Sequence, residues 1–192
     1  MTRRTLLPVL GAGLATALAF RLDPWVFQHL SNPTVYDHDW GRLLRVMGSL
    51  VLWAPLCLAV WLEQRTRGSG LLLLAPALAG GLAELLKLLI RRERPDLHAG
   101  SYVYRSFAER PFDTHDLGFP SSHAMVAFAG AAVLARCYPR AAPVGYALAA
   151  GCALTRVLAQ AHFASDVVAG GIAGWAVGYW LGRARRPGVP AA

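Results

Sequence analysis

Residues 118–125 read GFPSSHAM and place two hydroxyls and an imidazole directly after a proline, where a polar loop meets an apolar helix, AMVAFAGAAVLA. The first N–H groups of a helix have no partner within the helix and lie at the positive end of its dipole, which favours an anion such as phosphate. The alternative is a serine N-cap followed by an incidental histidine, because such caps are common. The sequence on either side decides between the two.

The composition indicates a membrane protein. Of the 192 residues, 55% are hydrophobic and 16% are charged, whereas soluble domains average about 25% charged residues. A chain of this length predicts one domain, residues 1–192. The net charge is +8. The sequence lacks the basic stripe with interleaved aromatics that is typical of nucleic-acid binding, so the charge favours binding to anionic lipid or a phosphorylated substrate.

Six apolar runs predict an all-α bundle of six transmembrane helices, since about 20 apolar residues cross a bilayer as helix. The runs cover residues 6–20, 46–62, 71–90, 123–138, 141–161 and 167–181. The sixth contains GGIAGWAVG, and small residues at this spacing allow close helix packing in lipid.

The first run follows Arg3 and Arg4 and has two interpretations. It is either a cleavable export signal, of twin-arginine type, or a retained first span. We favour the retained span, because an even number of spans distributes the charges better.

Neither the cysteines nor the histidines show metal-ligand spacing. Cys57, Cys137 and Cys152 each lie inside an apolar run and form no CxxC pair, which is typical of small buried side chains. The six histidines form no HExxH motif. We expect no metal and no cofactor.

The first of two further polar clusters, residues 87–95, reads KLLIRRERP and ends the third run. On a helix, Lys87, Arg91 and Arg94 share one face, and Pro95 places Arg94 near the helix end. We interpret Arg91 and Arg92 as cations that extend towards lipid headgroups. Lys87 lies a turn deeper, where a charge usually serves a function.

The second further cluster, residues 155–166, reads TRVLAQAHFASD. His162 and Asp166 are four residues apart, so on a helix the carboxylate can hydrogen-bond the ring. Alternatively Ser165 caps the sixth helix and Asp166 lies in its first turn, which keeps the two side chains within reach. A histidine held by a carboxylate suits a nucleophile or base, although such a pair taken alone is often only structural.

Six spans place all three polar features on the face opposite the termini. There they offer hydroxyls, helix-start N–H groups, two histidines and the cations Lys87, Arg94 and Arg156, which phosphoryl transfer requires. When the cations of the polar clusters are left out of the count, arginines are more frequent on the side of the termini. That side carries Arg3, Arg4, Arg65, Arg67, Arg136, Arg140, Arg183, Arg185 and Arg186. We therefore expect cytoplasmic termini.

The three blocks together resemble the type 2 phosphatidic acid phosphatase superfamily, in its membrane branch. The motif KxxxxxxRP reads Lys87 to Pro95, PSxH reads Pro120 to His123, and RxxxxxHxxxD reads Arg156 to Asp166. All three occur in order, with the internal spacings of the family, and the six-span layout is similar too.

The resemblance implies a role for each matching residue. His162 would attack phosphorus and form a phosphohistidine, Asp166 would orient His162, and His123 would protonate the leaving oxygen. Water would then hydrolyse the intermediate without a metal. The phosphate would be held by Lys87, Arg94, Arg156, Ser121 and the backbone N–H groups of Ser122 and His123.

Two positions depart from the family pattern. The family usually has glycine where Ser122 stands, so a side chain is added to the pocket, and it usually has serine where Thr155 stands. Neither change removes a group that the mechanism needs.

The expected function is that of an integral-membrane phosphatase acting on a lipid phosphomonoester or pyrophosphate, on the outer, periplasmic face of a bacterial inner membrane. The resemblance offers undecaprenyl pyrophosphate, phosphatidic acid, phosphatidylglycerol phosphate and lipid A phosphate as substrates. Residues that either shape the headgroup site or are simply solvated lie in the loop 91–120: Tyr102, Tyr104, Arg105, Arg110 and His115. The alternatives are a lipid phosphotransferase with the same intermediate and a non-enzymatic lipid-phosphate binding or transport protein.

Overall fold

The structure, a computed structural model, describes residues 3–64 and 69–184. Within these ranges it contains seven α-helices and no β-strand: α1 (Arg3–His29), α2 (Asp39–Val46), α3 (Leu50–Gln64), α4 (Leu71–Ile90), α5 (Ser122–Cys137), α6 (Ala142–Leu158) and α7 (Ala164–Ala184). Short 3-10 turns at Pro95–His98 and Pro139–Ala141 lie in the connections. The all-α prediction is confirmed.

Several helices meet the requirements of a membrane span. Among the described residues, three segments are long and apolar enough to cross a bilayer, namely Leu7–His29, Leu71–Ile90 and Pro139–Leu158. Helices α2 and α3, bent by 65°, form a fourth span if they are counted as one. Helix α5 is apolar but has 16 residues, about 24 Å of helix. The count of six spans therefore stays a prediction.

Large apolar side chains cover the outside of the bundle. Leu14 on α1, Val51 on α3 and Leu89 on α4 are each more than half exposed. Exposed apolar surface on this scale is unfavourable in water and is typical of helices that contact lipid.

Helix α5 is central and packs against α4, α6 and α7. Its contact with α7 is especially close, because glycines of α7 face the α5 backbone. A methyl group at Gly174 would lie 2.1 Å from the carbonyl oxygen of Met125, and one at Gly178 would lie 2.2 Å from that of Ala129. The close packing expected for the sixth apolar run is confirmed, and it brings the start of α5 beside the start of α7.

Helix α1 is longer than predicted. The apolar run ends at residue 20, but the helix continues through Arg21 and Asp23 to His29 and packs against α7. Asp23 is buried and accepts hydrogen bonds from Ser165 and Tyr102. A charge that is compensated inside the protein does not end a helix, and hydropathy cannot reveal that compensation.

The second predicted run, residues 46–62, becomes helical later than expected, and it is preceded by a helix that was not predicted, α2. Helix α2 lies against α6, a turn follows, and α3 begins only at Leu50. The bounds of α4 agree with the predicted run, whereas α7 begins three residues earlier than predicted, at Ala164. Arg65, Arg67, Arg185 and Arg186, on which the expected orientation partly depends, lie outside the described residues.

Candidate active site

Backbone and side-chain contacts join the three polar clusters at one end of the bundle. The N–H of Ser121 donates to the carbonyl of Asp166 at 3.0 Å, which ties the start of α5 to the start of α7. The Nζ of Lys87, near the end of α4, donates to the hydroxyl of Ser122 at 3.2 Å. The convergence expected from their order in the bundle is therefore present.

His162 and Asp166 form a buried pair in the connection between α6 and α7. The Nδ1 of His162 lies 3.5 Å from Oδ2 of Asp166, longer than an ordinary hydrogen bond. The same carboxylate oxygen accepts the backbone N–H of Phe163 at 2.8 Å. An N–H on Nδ1 pointing at the carboxylate leaves the lone pair of Nε2 free, and Nε2 is then the nucleophilic atom.

The environment of His162 keeps its ring uncharged. Burial lowers the pKa of His162 from 6.5 to about 4, the carboxylate of Asp166 opposes this only in part, and Arg156 and Lys87 lower it further. A neutral imidazole retains its lone pair at neutral pH. This is the protonation state that attack on an electrophile requires.

Within the described residues, three buried arginines carry N–H groups without a hydrogen-bond partner, and two of them, Arg94 and Arg156, belong to the predicted phosphate clamp. Arg156 is 4% exposed, and its Nη1 donates to the hydroxyl of Tyr36 at 2.9 Å. In the described part of the chain, the buried Nε atoms of Arg156 and Arg94 make no hydrogen bond. Burying such donors without a partner is costly, and an anion accepting from them would remove that cost.

Arg94 lies close to the pair formed by His162 and Asp166. Gly118 separates the two: a methyl group there would be 3.0 Å from Oδ2 of Asp166 and 3.6 Å from Cα of Arg94. The charges of Arg94 and Arg156 are also close enough to repel each other. Two guanidinium groups held together in this way favour an anion between them.

Lys87 is buried rather than extended towards headgroups. Its Nζ bridges Oε1 of Glu84 at 2.8 Å and the hydroxyl of Ser122 at 3.2 Å. The sequence-based expectation that Lys87 differs from a headgroup-seeking cation agrees with this position.

The PSSH segment begins α5 as expected. Ser121 is the N-cap and accepts from the N–H of Ala124 at 3.5 Å, and the helix starts at Ser122. The N–H groups of Ser122 and His123 lie in the first turn, where a helix supplies no partner. The positive charges of Arg156 and Lys87 act on the ring of His123, so residues of all three clusters meet there.

The interpretation of Arg91 and Arg92 as headgroup-seeking cations is wrong, because both are fully buried. Arg91 ends α4 in the left-handed conformation and donates to the carbonyls of Arg105, Ser106, Glu109 and Pro111. It therefore organises the loop. Arg92 donates to Asp166 and Ser165.

The loop residues proposed for headgroup contact divide into two groups. Arg105 is buried and structural, since it donates to Glu93 and to the carbonyls of Asp113 and His115. Burial alone would raise the pKa of Glu93, but hydrogen bonds from His98 and Arg105 outweigh it and lower the pKa. Tyr102 is 42% exposed but its hydroxyl donates to Asp23, whereas Tyr104, Arg110 and His115 lie exposed on the loop.

Sequence reasoning missed several residues around the site. Asp23 and Tyr36 lie in the segment between the first two runs, and Gly48 lies in the turn after α2. Their only signal was an isolated acid, an aromatic and a glycine, each common in a membrane protein. Among residues 3–64 and 69–184, no three histidine, cysteine, aspartate or glutamate side chains are grouped to hold a metal ion.

The sequence matches a known family model over more than half of its length. Residues 68–187 match the model described as PAP2 superfamily. This range contains all three polar clusters.

Two bacterial phosphatases are similar to the chain. It is 42% identical to Lipid A 1-phosphatase of Rhizobium johnstonii over 105 residues, which are 54% of this chain and 40% of that protein. It is 35% identical to Decaprenylphosphoryl-5-phosphoribose phosphatase of Mycobacterium tuberculosis over 100 residues, which are 52% of this chain and 51% of that protein. The chain thus matches about half or less of the length of these relatives.

A solved structure supports the fold. The crystal structure of a transmembrane PAP2 type phosphatidylglycerolphosphate phosphatase from Bacillus subtilis aligns with a TM-score of 0.56, covering 88% of this chain and 94% of that one. The identity is 19%, so the likeness supports the fold alone.

Proposed function

The chain belongs to the PAP2 superfamily, and on that premise we propose that it is a membrane phosphatase that hydrolyses a lipid phosphomonoester or pyrophosphate through a phosphohistidine, without a metal. The proposal is supported above all by His162, a buried imidazole that is uncharged at neutral pH and whose Nδ1 faces Asp166. The expectation that the chain is a member of this family is confirmed.

In the first step Nε2 of His162 attacks phosphorus, the P–O bond to the lipid breaks, and His123 gives a proton to the leaving oxygen. Burial and the neighbouring cations Arg156, Arg45 and Lys87 disfavour a positive charge on the ring of His123. We therefore expect His123 to gain its proton together with the phosphate, whose negative charge offsets theirs.

In the second step water attacks phosphorus, the N–P bond breaks, and His123 takes the proton of the water. Lys87, Arg94 and Arg156 would hold the phosphoryl oxygens through both steps, because charge-assisted hydrogen bonds stabilise the charge that develops there. The backbone N–H groups of Ser122 and His123 would add to this clamp.

The proposed location is the outer face of a bacterial inner membrane, with both termini in the cytoplasm. It is supported by the membrane-length helices, the bacterial relatives and the arginine distribution. The substrate candidates are lipid A phosphate, undecaprenyl pyrophosphate, phosphatidic acid and phosphatidylglycerol phosphate. Lipid A and a decaprenyl phosphosugar appear in the names of the two similar phosphatases.

Phosphate release from these four lipids tests the proposal. Detergent-purified protein is expected to release phosphate from at least one of them, at an unchanged rate with excess EDTA. Label from a radioactive lipid phosphate should appear as free phosphate. Its appearance on an acceptor lipid would indicate a phosphotransferase instead, and binding without turnover would indicate a binding or transport protein.

Gly48 provides a second, more local test, since the ring of His123 occupies the space that a side chain would need. A methyl group at Gly48 would lie 2.6 Å from Cβ, 2.8 Å from Cα and 2.8 Å from Cδ2 of His123, so Gly48→Ala must displace His123 relative to the turn that carries Gly48. We expect kcat to fall about 10- to 100-fold, part of what a general acid contributes. The loss should be larger for substrates with poor leaving groups.

Gly81→Ala is the matched control, because nothing lies within 4 Å of a methyl group at that position of α4. It should retain kcat within about twofold, as expected for a surface substitution. Equal activity of the two variants, measured as phosphate release in detergent, would contradict the role of His123 as the general acid.

A further inference from the structure

Arg92 is a buried cation for which the proposed reaction has no role so far. It lies between the end of α4 and the loop, and its side chain is 1% exposed. Its carbonyl accepts the N–H of Gly118 at 2.7 Å, which fixes its backbone directly beside the segment that leads into α5. A buried guanidinium is costly unless its surroundings compensate the charge.

Four aromatic rings surround the guanidinium of Arg92. Its Cζ lies 5.0 Å from the ring centroid of Phe20, 5.1 Å from Tyr102, 4.7 Å from Phe119 and 5.0 Å from Phe163. These rings come from α1, the loop, the segment before α5 and the connection between α6 and α7. They attract the cation and exclude water from it.

The remaining side of the guanidinium faces the pair that carries the proposed chemistry. Its Nη2 donates to Oδ1 of Asp166 and, at 2.8 Å, to the hydroxyl of Ser165. The other oxygen of Asp166 faces Nδ1 of His162 at 3.5 Å. Asp166 therefore contacts Arg92 through one carboxylate oxygen and His162 through the other.

Asp23 completes the surroundings from α1. It accepts the backbone N–H of Ser165 at 2.8 Å, the hydroxyl of Ser165, and the hydroxyl of Tyr102 at 2.8 Å. Ser165 and Tyr102 are two of the groups that contact Arg92, so Asp23 holds them in place. This explains why α1 continues past its apolar run.

The charges of Asp166 and His162 indicate what Arg92 does in the site. Asp166 is fully buried, and its neighbour His162 is uncharged at neutral pH. A buried carboxylate without a counter-charge tends to hold a proton, and a protonated acid accepts only weakly from Nδ1–H and can instead donate its own O–H to Nδ1. Arg92 supplies that counter-charge.

We propose that Arg92 is a positioning residue, which keeps Asp166 ionised and oriented so that the carboxylate accepts the Nδ1–H of His162 and leaves Nε2 directed at phosphorus. The expected effect of Arg92 on kcat rests on the proposed function. Its expected effect on the tautomer of His162 does not. Arg92 does not touch the substrate and acts only through Asp166.

The test compares Arg92→Met and Arg92→Lys in two backgrounds, the wild-type chain and Asp166→Asn. In the wild-type chain, Arg92→Met should lower kcat about 10- to 100-fold, as loss of a group that orients a reacting residue typically does, with little change in KM. The acidic limb of its pH–rate profile should move to higher pH, because Asp166 would hold a proton longer. In Arg92→Lys the acidic limb should lie at the same pH as in the wild-type chain, because lysine keeps the charge.

In the Asp166→Asn background, Arg92→Met and Arg92→Lys should cause no further loss, because the group through which Arg92 acts is gone. The same loss in both backgrounds, or an unmoved acidic limb, would overturn the proposal. If Arg92→Met fails to fold, judged by size-exclusion elution, Arg92→Gln takes its place in both backgrounds, because glutamine removes the charge but still offers an N–H donor to Asp166.

An NMR measurement separates this inference from the proposed function. The ¹⁵N shifts of His162 should report a proton on Nδ1 in the wild-type chain and a mixture of tautomers in Arg92→Met. A wild-type protein without turnover but with this difference would refute the phosphatase and retain the positioning role. Identical tautomers in the two chains would refute the positioning role whatever the turnover.

Discussion

Replacing His162 with asparagine is expected to lower phosphate release at least ~10³-fold, the scale of losses seen when a covalent nucleophile is removed. The amide nitrogen of asparagine stands where Nδ1 of histidine does, so it still donates towards Oδ2 of Asp166, 3.5 Å from Nδ1 in the native protein. What disappears is Nε2. The variant thus separates the nucleophile from the buried hydrogen-bonding pattern, which His162→Ala would disturb as well.

The phosphoenzyme gives a direct measurement. Rapid quenching of the wild-type protein with radiolabelled lipid phosphate should leave a label that is stable in alkali and lost in acid, as an N–P bond is, and His162→Asn should leave none. His115→Asn is the matched control, because His115 is exposed and pairs with Asp116 at 2.9 Å on the surface. Full turnover, or normal labelling, in His162→Asn would contradict the mechanism.

Much of the site was predictable because it is encoded in local spacing. Lys87 and Arg94 are seven residues apart and His162 and Asp166 four, so each cluster stays compact. The shared helix face predicted for Lys87, Arg91 and Arg94 is wrong, however, because α4 ends at Ile90 and Arg94 lies beyond it in extended backbone. Their meeting follows from the order of the helices. Even so, His162 and Asp166 do not share a helix: Asp166 lies in the first turn of α7 and His162 just before it. The position of Asp166 is the alternative that the sequence left open, but Ser165 lies inside the first turn of α7 and does not cap it.

The environment of Arg92 was not predictable, because its determinants are dispersed. The rings that surround it come from residues 20, 102, 119 and 163, and none of these positions is marked by local pattern. A cation at the end of an apolar run has the same hydropathy whether it extends to headgroups or turns inward. Only the tertiary structure distinguishes the two outcomes, and here the loop folds back over Arg91 and Arg92.

The first span illustrates the same limit. Hydropathy ends the helix near residue 20, whereas the structure continues it to His29 because Asp23 has buried partners on α7 and in the loop. A charge counts against a span when it faces lipid, but less so when hydrogen-bond donors of another helix satisfy it inside the protein. The number of spans cannot be derived from apolar length alone for this reason, and α5, central and short, is a further case.

Arg156→Lys is expected to lower kcat/KM about 10²- to 10³-fold, comparable to the loss of a preorganised donor to a developing anion. The charge is kept, but the planar fork is not. Arg156 uses Nη1 on the hydroxyl of Tyr36 at 2.9 Å, while its buried Nε is unpaired within the described ranges. The three N–H groups of an ammonium diverge from one atom, so lysine cannot reach Tyr36 and the phosphate with the spread, planar geometry of the guanidinium.

Two variants separate charge from orientation at this position. Tyr36→Phe removes the hydroxyl that accepts from Arg156 and donates to the carbonyl of Thr155; it should cost less than Arg156→Lys, because the guanidinium itself remains. Arg42→Lys makes the same replacement at an exposed residue of α2 that pairs with Asp39 on the surface, and it should keep kcat/KM within about twofold. If Arg156→Lys were as active as Arg42→Lys, the unpaired Nε would have no part in holding phosphate, and the clamp would reduce to Lys87 and Arg94.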